Sequence, residues 1–493
     1  MGTTTKIPRN DRFGKALLLV AVCLGIARTV AGQSIQLPWS GFAHTPQHGC
    51  VSTVPSQPLN RILWKSMMLV GESAPFMHFS PPVVTRSNTV IFSLDIQTSA
   101  KNVVIEALAG ANGQTTWSQA TDYSYQIAPC PMALTPKNRL YFGGAGGTVF
   151  YCDSPDATNL PSFTRTAFYG INQYLTNSNS FNSTLHICTP ITSDRYGDIF
   201  FGFQAVGTSP LGAQGGLARI DFDGSGTWIG GSNAIGTNIS FQAAVDCAPA
   251  LSVDQKTVYL VFRPTSGSSS SYLAAMDSRT LAPLASVSLI DPQTKTAALA
   301  TGSSTASPTV GPDGDVYFGV LGNSGYHTES GWLLHFDSSL SVVKTPALFG
   351  WDVTDSIVDA SLVPSYTGNS KYLLASKFNI YSTKDYHMAI FDPQQSVVDS
   401  QSGVTVMATV MSIPSPNAYE WCVNTSAIDP FTKSLLANNE DGNLYRWDFT
   451  SNLLTEKIEL ATTQTGTAYT PTVVGVDGTV YAINHGVLFA VGK

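Results

Sequence analysis

The feature that most constrains the fold is a strand–turn–strand pattern that recurs along the chain. Residues 307–320 read SPTVGPDGDVYFGV, in which an apolar run opened by Ser-Pro is followed by a Pro-Asp-Gly turn and an alternating run. The same pattern returns at residues 469–483 as YTPTVVGVDGTVYAI. One such unit predicts a hairpin, whereas a series of them predicts a repeat architecture.

Aligning the chain on this pattern predicts eight first strands, each of which starts at a small residue. They begin at Ser80, Cys130, Cys188, Cys247, Ser307, Ser361, Cys422 and Thr470. Eight units of roughly 45 to 65 residues, each reading as four short strands, predict an all-β, eight-bladed β-propeller of four-stranded antiparallel blades. Parallel βα units are excluded because the chain lacks helical periodicity.

The ends of the repeats carry two further predictions. In six copies the third strand ends on an aspartate, which we expect to cap the following turn: Asp153, Asp221, Asp277, Asp337, Asp392 and Asp448. The eighth copy stops after its third strand, VLFAVG. An isolated strand pattern at Ile62 to Met67 is therefore predicted to complete the last blade and close the ring.

The first 32 residues have the pattern of a secretory signal peptide. Four basic residues precede the apolar run 16–27, and small residues surround Ala31. The alternative is an uncleaved anchor, but the run is shorter than a bilayer span requires. We therefore expect residues 33–59 to be a leader lying over the domain and residues 60–493 to form the propeller. The predicted location is secreted or periplasmic, with no membrane span after cleavage.

Charge and cysteine content limit the classes of partner. The formal net charge of the chain is −7, and removal of residues 1–32, with five basic residues and one acidic residue, changes it to −11. An acidic surface without basic clusters excludes nucleic acid as a partner, and we expect a monomer. Six cysteines remain, an even number in an oxidising compartment, so disulfides are predicted without a defined pairing.

The start of each first strand should lie at one mouth of the axial channel. The small residues there are explained by crowding near the axis, and a redox cluster of Cys130, Cys188 and Cys247 is the alternative. Two residues earlier, the aligned positions are His78, Ala128, His186, Val245, Thr305, Asp359, Glu420 and Ala468. The ionisable members, His78, His186, Asp359 and Glu420, suit a ligand or a divalent cation. The alternative is a set of solvated polar residues without a ligand.

The loops between second and third strands lie on the same face of a propeller. In blades three to six they are long and rich in Gly, Ser and Tyr, over residues 204–216, 263–271, 321–331 and 377–386. Aromatic and small polar side chains suit sugars or peptides, so a protein or carbohydrate partner is predicted at Tyr326, His327, Tyr381 and Asp385. The loops could equally be plain connectors.

The segment 107–117, ALAGANGQTTW, resembles the tryptophan docking motif of the pyrroloquinoline-quinone-like (PQQ-like) propeller family, Ala-x-Asp-x-x-x-Gly-Lys-x-x-Trp. Ala107, Gly113 and Trp117 match, while Ala109 and Gln114 replace the Asp and Lys. The resemblance covers residues 60–493 at the level of blades and implies eight of them.

In that family, quinone-dependent dehydrogenases hold PQQ and calcium through acidic and amide ligands, several with adjacent cysteines, and other members are scaffolds. This sequence has no adjacent cysteines and no position onto which a calcium ligand carries over. It also shows no nucleophile–base pattern or phosphate loop. We therefore expect a non-catalytic binding or scaffold protein without a cofactor. The alternative is an extracytoplasmic quinone- or metal-dependent oxidoreductase acting on alcohols or sugars.

Overall fold

The computed structural model describes residues 1, 38–71, 78–97, 102–124, 128–266, 270–298, 300, 306–323, 330–462 and 468–493. The described residues from 38 to 493 belong to one compact unit. The predicted signal peptide falls, apart from Met1, outside the described residues. The strands of the described part form eight sheets, which are the eight blades of a β-propeller. The predicted fold class is confirmed.

The first four blades follow one another along the chain. Blade 1 contains β2 Leu69–Gly71, β3 Val83–Val84, β4 Thr89–Gln97, β5 Asn102–Ala109 and β6 Thr115–Thr121. Blade 2 contains β7 Met132–Leu134, β8 Leu140–Gly143, β9 Thr148–Cys152 and β10 Thr164–Ala167. Blade 3 contains β11 Leu185–Ile187, β12 Thr192–Ser193, β13 Ile199–Ala205, β14 Gly215–Ile220 and β15 Gly226–Gly230. Blade 4 contains β16 Phe241–Ala243, β17 Ala250–Leu251, β18 Thr257–Pro264, β19 Tyr272–Asp277 and β20 Pro283–Ser288.

The remaining four blades complete the ring. Blade 5 contains β21 Thr309–Val310, β22 Val316–Val320, β23 Trp332–Phe336 and β24 Ala347–Leu348. Blade 6 contains β25 Ser356–Asp359, β26 Tyr372–Ile380, β27 Asp385–Val398 and β28 Thr405–Pro414. Blade 7 contains β29 Ala427–Asp429, β30 Ser434–Asn438, β31 Asn443–Asp448 and β32 Leu453–Glu459. Blade 8 contains β33 Val473–Val474, β34 Val480–Asn484, β35 Val487–Gly492 and β1 Arg61–Met67.

Helices are short and lie in the connections. The α-helices of the described residues are α1 Ile171–Thr176, α2 Ser178–Thr184 and α3 Gly231–Ile235. Turns of 3-10 helix occupy Ala145–Gly147, Ala360–Leu362 and Pro416–Ala418. None of the helices in this part of the chain is both long and apolar enough to span a membrane.

The core lies between the blades, because both faces of each blade pack against a neighbour. All seven residues of β13, IFFGFQA, are buried, and so are all five of β22, VYFGV. Strands covered on both faces read as continuous apolar runs, whereas outer strands alternate, as β32 does with the pattern LLTEKIE. The second strands are covered on both faces, so their apolar runs are the part of each repeat that is most easily recognised in the sequence.

The N-terminal strand belongs to the last blade. β1 pairs antiparallel with β35, with Ile62 opposite Val491 and Met67 opposite Val487. The pairing predicted for residues 62–67 is thus present. The Trp64 indole N–H of the same strand donates to the Gly110 carbonyl of blade 1 at 2.7 Å, which links the last blade to the first.

The recurring aspartates divide into two groups. Four accept hydrogen bonds from backbone N–H groups of the following turn, as predicted: Asp277, Asp337, Asp392 and Asp448. For Asp153 and Asp221 the prediction needs correction. Asp153 forms an ion pair with Arg139 at an N–O distance of 2.6 Å, and Asp221 forms one with Arg219 at 2.7 Å. In each pair the arginine belongs to the same blade as the aspartate.

Residues 38–52, which we call the axial segment, close one end of the channel instead of lying over the domain. Trp39 exchanges two backbone hydrogen bonds with Val84 in β3, and carbonyls of the segment accept from inner-strand N–H groups of blades 2, 4, 5, 6 and 7. The donors are Leu134, Leu251, Val310, Ile357 and Ile428, at 2.7–2.9 Å. These donors lie at or near the ends of their strands. The segment therefore supplies partners for backbone groups that would otherwise face the channel.

The axial segment is also packed as a core element. Trp39 is 1% exposed, and His48 and Cys50 are fully buried. His48 Nδ1 lies 2.7 Å from the Pro308 carbonyl, and His44 Nδ1 lies 2.7 Å from the Val51 carbonyl. Burial lowers the pKa of both histidines to about 4, so they are neutral at pH 7.

Candidate functional site at the channel mouth

The starts of the first strands form a belt of small residues, as predicted for every blade except the sixth. The Ser80 hydroxyl donates to the Cys130 carbonyl at 2.7 Å, which joins blades 1 and 2. The Ser307 hydroxyl accepts from the Ala248 N–H at 2.8 Å, and the Ser307 N–H donates to the Thr354 hydroxyl at 2.9 Å. Small polar residues at these positions thus connect neighbouring blades by hydrogen bonds, which supports the packing explanation of the pattern.

The cysteines of the belt do not form the expected disulfides. All six cysteines of the described residues are free, which corrects that prediction. Burial raises the pKa of the Cys247 thiol to about 12 and raises those of Cys130 and Cys188 well above the usual value. Buried, protonated thiols are poor nucleophiles and ligands, so the alternative redox cluster gains no support.

Asp359 does not lie at the mouth, which corrects the alignment of blade 6. The first strand of that blade is β25, so it begins five residues before Ser361 and ends at Asp359. Asp359 is exposed at the far end of the strand and accepts from the Ser361 N–H at 2.9 Å. Thr354 takes the belt position instead. The short polar stretch around Ser361 imitated a strand start because Ser and Pro also begin 3-10 turns.

The other predicted ring residues have separate partners. The His78 ring stacks on Tyr469 with centroids 4.3 Å apart, and His78 Nδ1 lies 3.4 Å from Asp246 Oδ2. His186 lies in β11 opposite Gln204, and burial lowers its pKa. Glu420 belongs to a different cluster, described below. The structure therefore brings no tetrad of His78, His186, Asp359 and Glu420 together.

The loop residues show a similar division. Tyr326 and His327 lie outside the described residues. Tyr381 packs against Phe349 and Tyr386 with ring centroids 6.4 and 6.1 Å apart, whereas Asp385 is exposed and pairs with His387 at 2.7 Å. The predicted long loop of blade 6 is mostly strand, because β26 and β27 leave only residues 381–384 as the turn.

Three residues that contact one another at the mouth, which we call the floor, are His78, Asp246 and Tyr469. His78 comes from blade 1 and Asp246 from blade 4, so they meet by reaching across the channel. Asp246 has a φ of +58°, which is uncommon for a residue with a side chain, and its Oδ1 is buried without a hydrogen-bond partner among the described residues. Burial raises the pKa of Asp246, and the hydrogen bond and charge of His78 act in the opposite direction.

Lys377 is the most unusual residue beside this floor. It lies in β26, is only 3% exposed, and places Nζ 5.3 Å from the Tyr469 ring centroid and 5.7 Å from that of Phe349. Its ammonium also acts on the nearby Cys422 thiol, and no carboxylate among the described residues forms an ion pair with it. A buried cation without an anionic partner is costly, and two aromatic faces compensate it only in part.

Glu420, Cys422 and Glu440 lie next to Lys377 and form the second half of the site. One ligand atom from each lies within 4.8 Å of the others. Glu440 is 3% exposed, and Glu420 Oε2 is buried without a hydrogen-bond partner among the described residues. Burial raises the pKa of Cys422 well above its usual value, the Lys377 ammonium lowers it, and the two glutamates raise it further. We call Lys377, Glu420, Cys422 and Glu440 the mouth cluster.

Sequence reasoning found Glu420 and missed Lys377, Glu440, Asp246 and Tyr469. Lys377 had a recognisable signal, because it is the one charged residue within the apolar strand YLLASKFNI. The other three gave none. Asp246, Tyr469 and Glu440 do not occupy the aligned positions two residues before each first strand. Their partners lie elsewhere in the sequence and are apparent only in the folded structure.

A second polar cluster lies away from the mouth, in a cavity of about 430 Å³ between blades 5 and 6. His335 is buried, with Nε2 2.9 Å from Asp315 Oδ2 and Nδ1 3.2 Å from the Thr345 carbonyl, and Lys344 Nζ is 2.5 Å from Asp315 Oδ2. Although burial acts to raise the pKa of Asp315, the hydrogen bonds from His335 and Lys344 lower it overall. The charges of this cluster satisfy one another, which suits a structural role.

Comparison with solved structures shows the class of fold. The chain is similar to a europium-containing methanol dehydrogenase, with 10% identity, a TM-score of 0.54, and coverage of 91% of this chain and 89% of the other. It is similar to quinohemoprotein alcohol dehydrogenase from Comamonas testosteroni, with 10% identity, a TM-score of 0.55, and coverage of 94% and 82%. It is also similar to quinohemoprotein alcohol dehydrogenase ADHIIG from Pseudomonas putida HK5, with 12% identity, a TM-score of 0.51, and coverage of 92% and 76%.

These likenesses confirm the β-propeller fold that the resemblance implied. At 10–12% identity they establish the fold and nothing finer. No family model matches the sequence. No curated protein matches it either.

The residues of the mouth do not fit a quinone and calcium. The axial position is taken by His78, Tyr469 and Asp246, which contact one another across the channel. Pyrroloquinoline quinone is a planar polycarboxylate, and the carboxylates of Asp246, Glu420 and Glu440 outnumber the Lys377 ammonium beside them, so several anionic groups would be left without a cation. Calcium takes oxygen ligands, whereas the acidic cluster includes the thiol of Cys422. We therefore derive no redox step through these groups.

Proposed function

We propose that this chain is an extracytoplasmic binding protein without catalytic chemistry, and that it takes a small ligand at the mouth cluster. The observation that carries the proposal is Lys377, a 97%-buried lysine without a paired carboxylate among the described residues, beside a buried glutamate oxygen that also lacks a partner. Unsatisfied buried polar groups are costly and are retained where they serve a ligand.

The channel geometry supports the same conclusion. The axial segment bonds to the opposite ends of the first strands, so it does not occupy the mouth cluster. The mouth offers the half-buried rings of Tyr381 and Tyr386 together with a few polar groups, which is the usual composition of a small-molecule site. The extracytoplasmic location rests on the signal-like pattern of residues 1–32.

Catalysis has no support in the arrangement of these groups. The Cys422 thiol is held protonated by burial and by two neighbouring glutamates, so it is not poised as a nucleophile. The fold likeness to alcohol dehydrogenases is the observation that favours the alternative function, a quinone- or metal-dependent oxidoreductase.

The test is a ligand screen on the full chain by thermal shift and calorimetry, with sugars, peptides, amino acids and carboxylates as probes. Lys377→Met should abolish binding while the melting temperature stays equal or rises, because the substitution removes a buried charge. Lys371→Met is the matched control, since Lys371 precedes the same strand but is exposed. Ligand binding that Lys377→Met leaves intact would refute the site. Dye-linked alcohol or sugar oxidation after adding quinone and calcium would replace binding by the oxidoreductase function.

A further inference from the structure

The mouth cluster carries opposite charges on its two sides, and this polarity indicates the class of ligand. Lys377, a residue that is 3% exposed, places its ammonium on the side of Tyr469 and Phe349. Glu420 and Glu440 provide two carboxylates on the side of blade 7, around Cys422. A ligand that satisfies both sides must itself carry an anionic and a cationic group.

We propose that the mouth cluster binds a small zwitterion with a carboxylate and an ammonium group, such as a free amino acid. The inference rests on the proposed binding function and adds the chemistry of the ligand. The ligand carboxylate pairs with Lys377, and the ligand ammonium donates to Glu420 and Glu440.

The anionic end of the ligand is required by Lys377. Lys377 as a whole is 3% exposed, and the two rings near its ammonium offer quadrupoles instead of hydrogen-bond acceptors. A carboxylate placed here would form a charge-assisted hydrogen bond in a partly water-excluded site, where such bonds are strong. A ligand without an anionic group would leave the Lys377 ammonium without an anionic partner.

The cationic end is indicated by Glu420, whose carboxylate lies beside that of Glu440. Their carboxylates and the Cys422 thiol approach within 4.8 Å, and like charges at that separation disfavour joint ionisation unless a cation lies between them. Glu420 Oε2 is a buried acceptor that lacks a donor among the described residues. An ammonium group has three N–H donors in a compact volume, which matches acceptors arranged around one point.

Aromatic residues supply the remaining contacts. Tyr381 lies beside Glu420 and packs against Phe349 and Tyr386. Burial raises the pKa of Tyr381, with Glu420 as the next largest cause, which places its hydroxyl beside the acidic side of the site. An apolar or aromatic ligand side chain would pack against Tyr381 and Tyr386, which are half-buried.

The experiment is isothermal titration calorimetry of the full chain with glycine, L-alanine and L-phenylalanine, and with propionate and propylamine as probes that each carry one charge. We expect an amino acid to bind at least about tenfold more tightly than either single-charge probe, because each charged end contributes its own hydrogen bonds. Lys377→Met and Glu440→Gln should each weaken amino-acid binding about tenfold or more, and Lys371→Met should leave it within about twofold.

The possible failures are distinguishable from those of the proposed function. Equal binding of propionate and the amino acids, or a neutral ligand whose binding Lys377→Met removes, would overturn the zwitterion inference and keep the mouth site. Calcium or zinc binding that Glu440→Gln abolishes and Lys377→Met strengthens would assign the glutamates to a metal and also overturn it. If no amino acid binds at millimolar concentration, the zwitterion inference is likewise overturned. Amino-acid binding that neither variant changes would refute the mouth site itself.

Discussion

The two ends of the axial channel are built on different physical principles. At the closed end, the axial segment uses backbone hydrogen bonds to six blades and buries Trp39, His48 and Cys50. At the mouth, the contacts across the channel that the described residues make are between side chains; among these residues no carboxylate pairs with Lys377, and Asp246 has a positive φ. Stability is therefore concentrated at the closed end, and unsatisfied polar groups at the mouth. This division is typical of proteins that keep a site on a rigid scaffold.

The largest expected effect comes from removing the closed end. Deleting residues 38–52 takes away the partners of inner-strand N–H groups and a set of buried side chains, so the domain should lose its cooperative thermal transition. Replacing the exposed mouth turn 382–384 by three glycines should leave that transition in place. Circular dichroism melts of the two variants make the comparison. A deletion variant that melts like the parent would show that the segment is dispensable.

A single substitution at each end should reproduce the contrast on a smaller scale. Trp39→Ala should lower the free energy of unfolding by roughly 3–5 kcal/mol, because a fully buried indole is lost. Tyr419→Ala, at a residue 39% exposed between blades 6 and 7, should change it by about 0.5 kcal/mol or less. Guanidinium unfolding followed by circular dichroism gives both values. Similar losses in the two variants would contradict the difference between the ends.

The closed end should also impose a pH dependence through His48. The folded pKa of about 4 lies below the usual 6.5, so the unfolded chain binds the proton more readily. The stabilising contribution is complete above pH 6.5 and is lost as the pH falls towards 4, by about 3 kcal/mol. His48→Asn removes this term, so its free energy of unfolding should fall less steeply than that of the parent between pH 6.5 and 4.

His44 serves as an internal reference, because it is present in both proteins and its pKa is also lowered to about 4. Asp95 and Asp355 oppose the trend in both proteins, since burial raises their pKa values to about 6 and 7. The difference between parent and variant therefore isolates His48. Parallel pH profiles would exclude the predicted neutral histidine.

The smallest expected effect lies near the mouth, at Asp355. Both carboxylate oxygens are buried without a hydrogen-bond partner among the described residues, and burial raises the pKa to about 7. The folded state is therefore favoured by protonation, and this contribution is lost as the pH rises from about 4 through 7. Asp355→Asn cannot ionise and should be more stable than the parent by about 1–2 kcal/mol at pH 8, after the cost of its own buried amide.

The control for this prediction is the same pair of proteins at pH 4, where the advantage of Asp355→Asn should disappear. Unfolding by urea at both pH values measures it. A variant less stable than the parent at pH 8 would mean that the carboxylate has a partner in solution, such as a bound water.

Much of the architecture could be predicted from the sequence because propeller blades are local. The hairpins between consecutive strands leave turn residues and apolar alternation in the sequence, and these signals identified all eight blades and the pairing of residues 62–67 with β35. The error at Asp359 arose where blade 6 lacks the repeated turn and a 3-10 turn resembles a strand start. The axial segment was missed because its partners are backbone groups, which have no sequence pattern.

What the sequence by itself determined is therefore the repeat, the number of blades, the strand that completes the last one and the small residues of the belt. Each depends on local turn chemistry or on packing that repeats eight times. What only the tertiary structure decided is the contents of the channel. The axial segment, the floor of His78, Asp246 and Tyr469, and the mouth cluster join residues hundreds of positions apart. Their chemistry depends on distances across the ring, which no local pattern encodes.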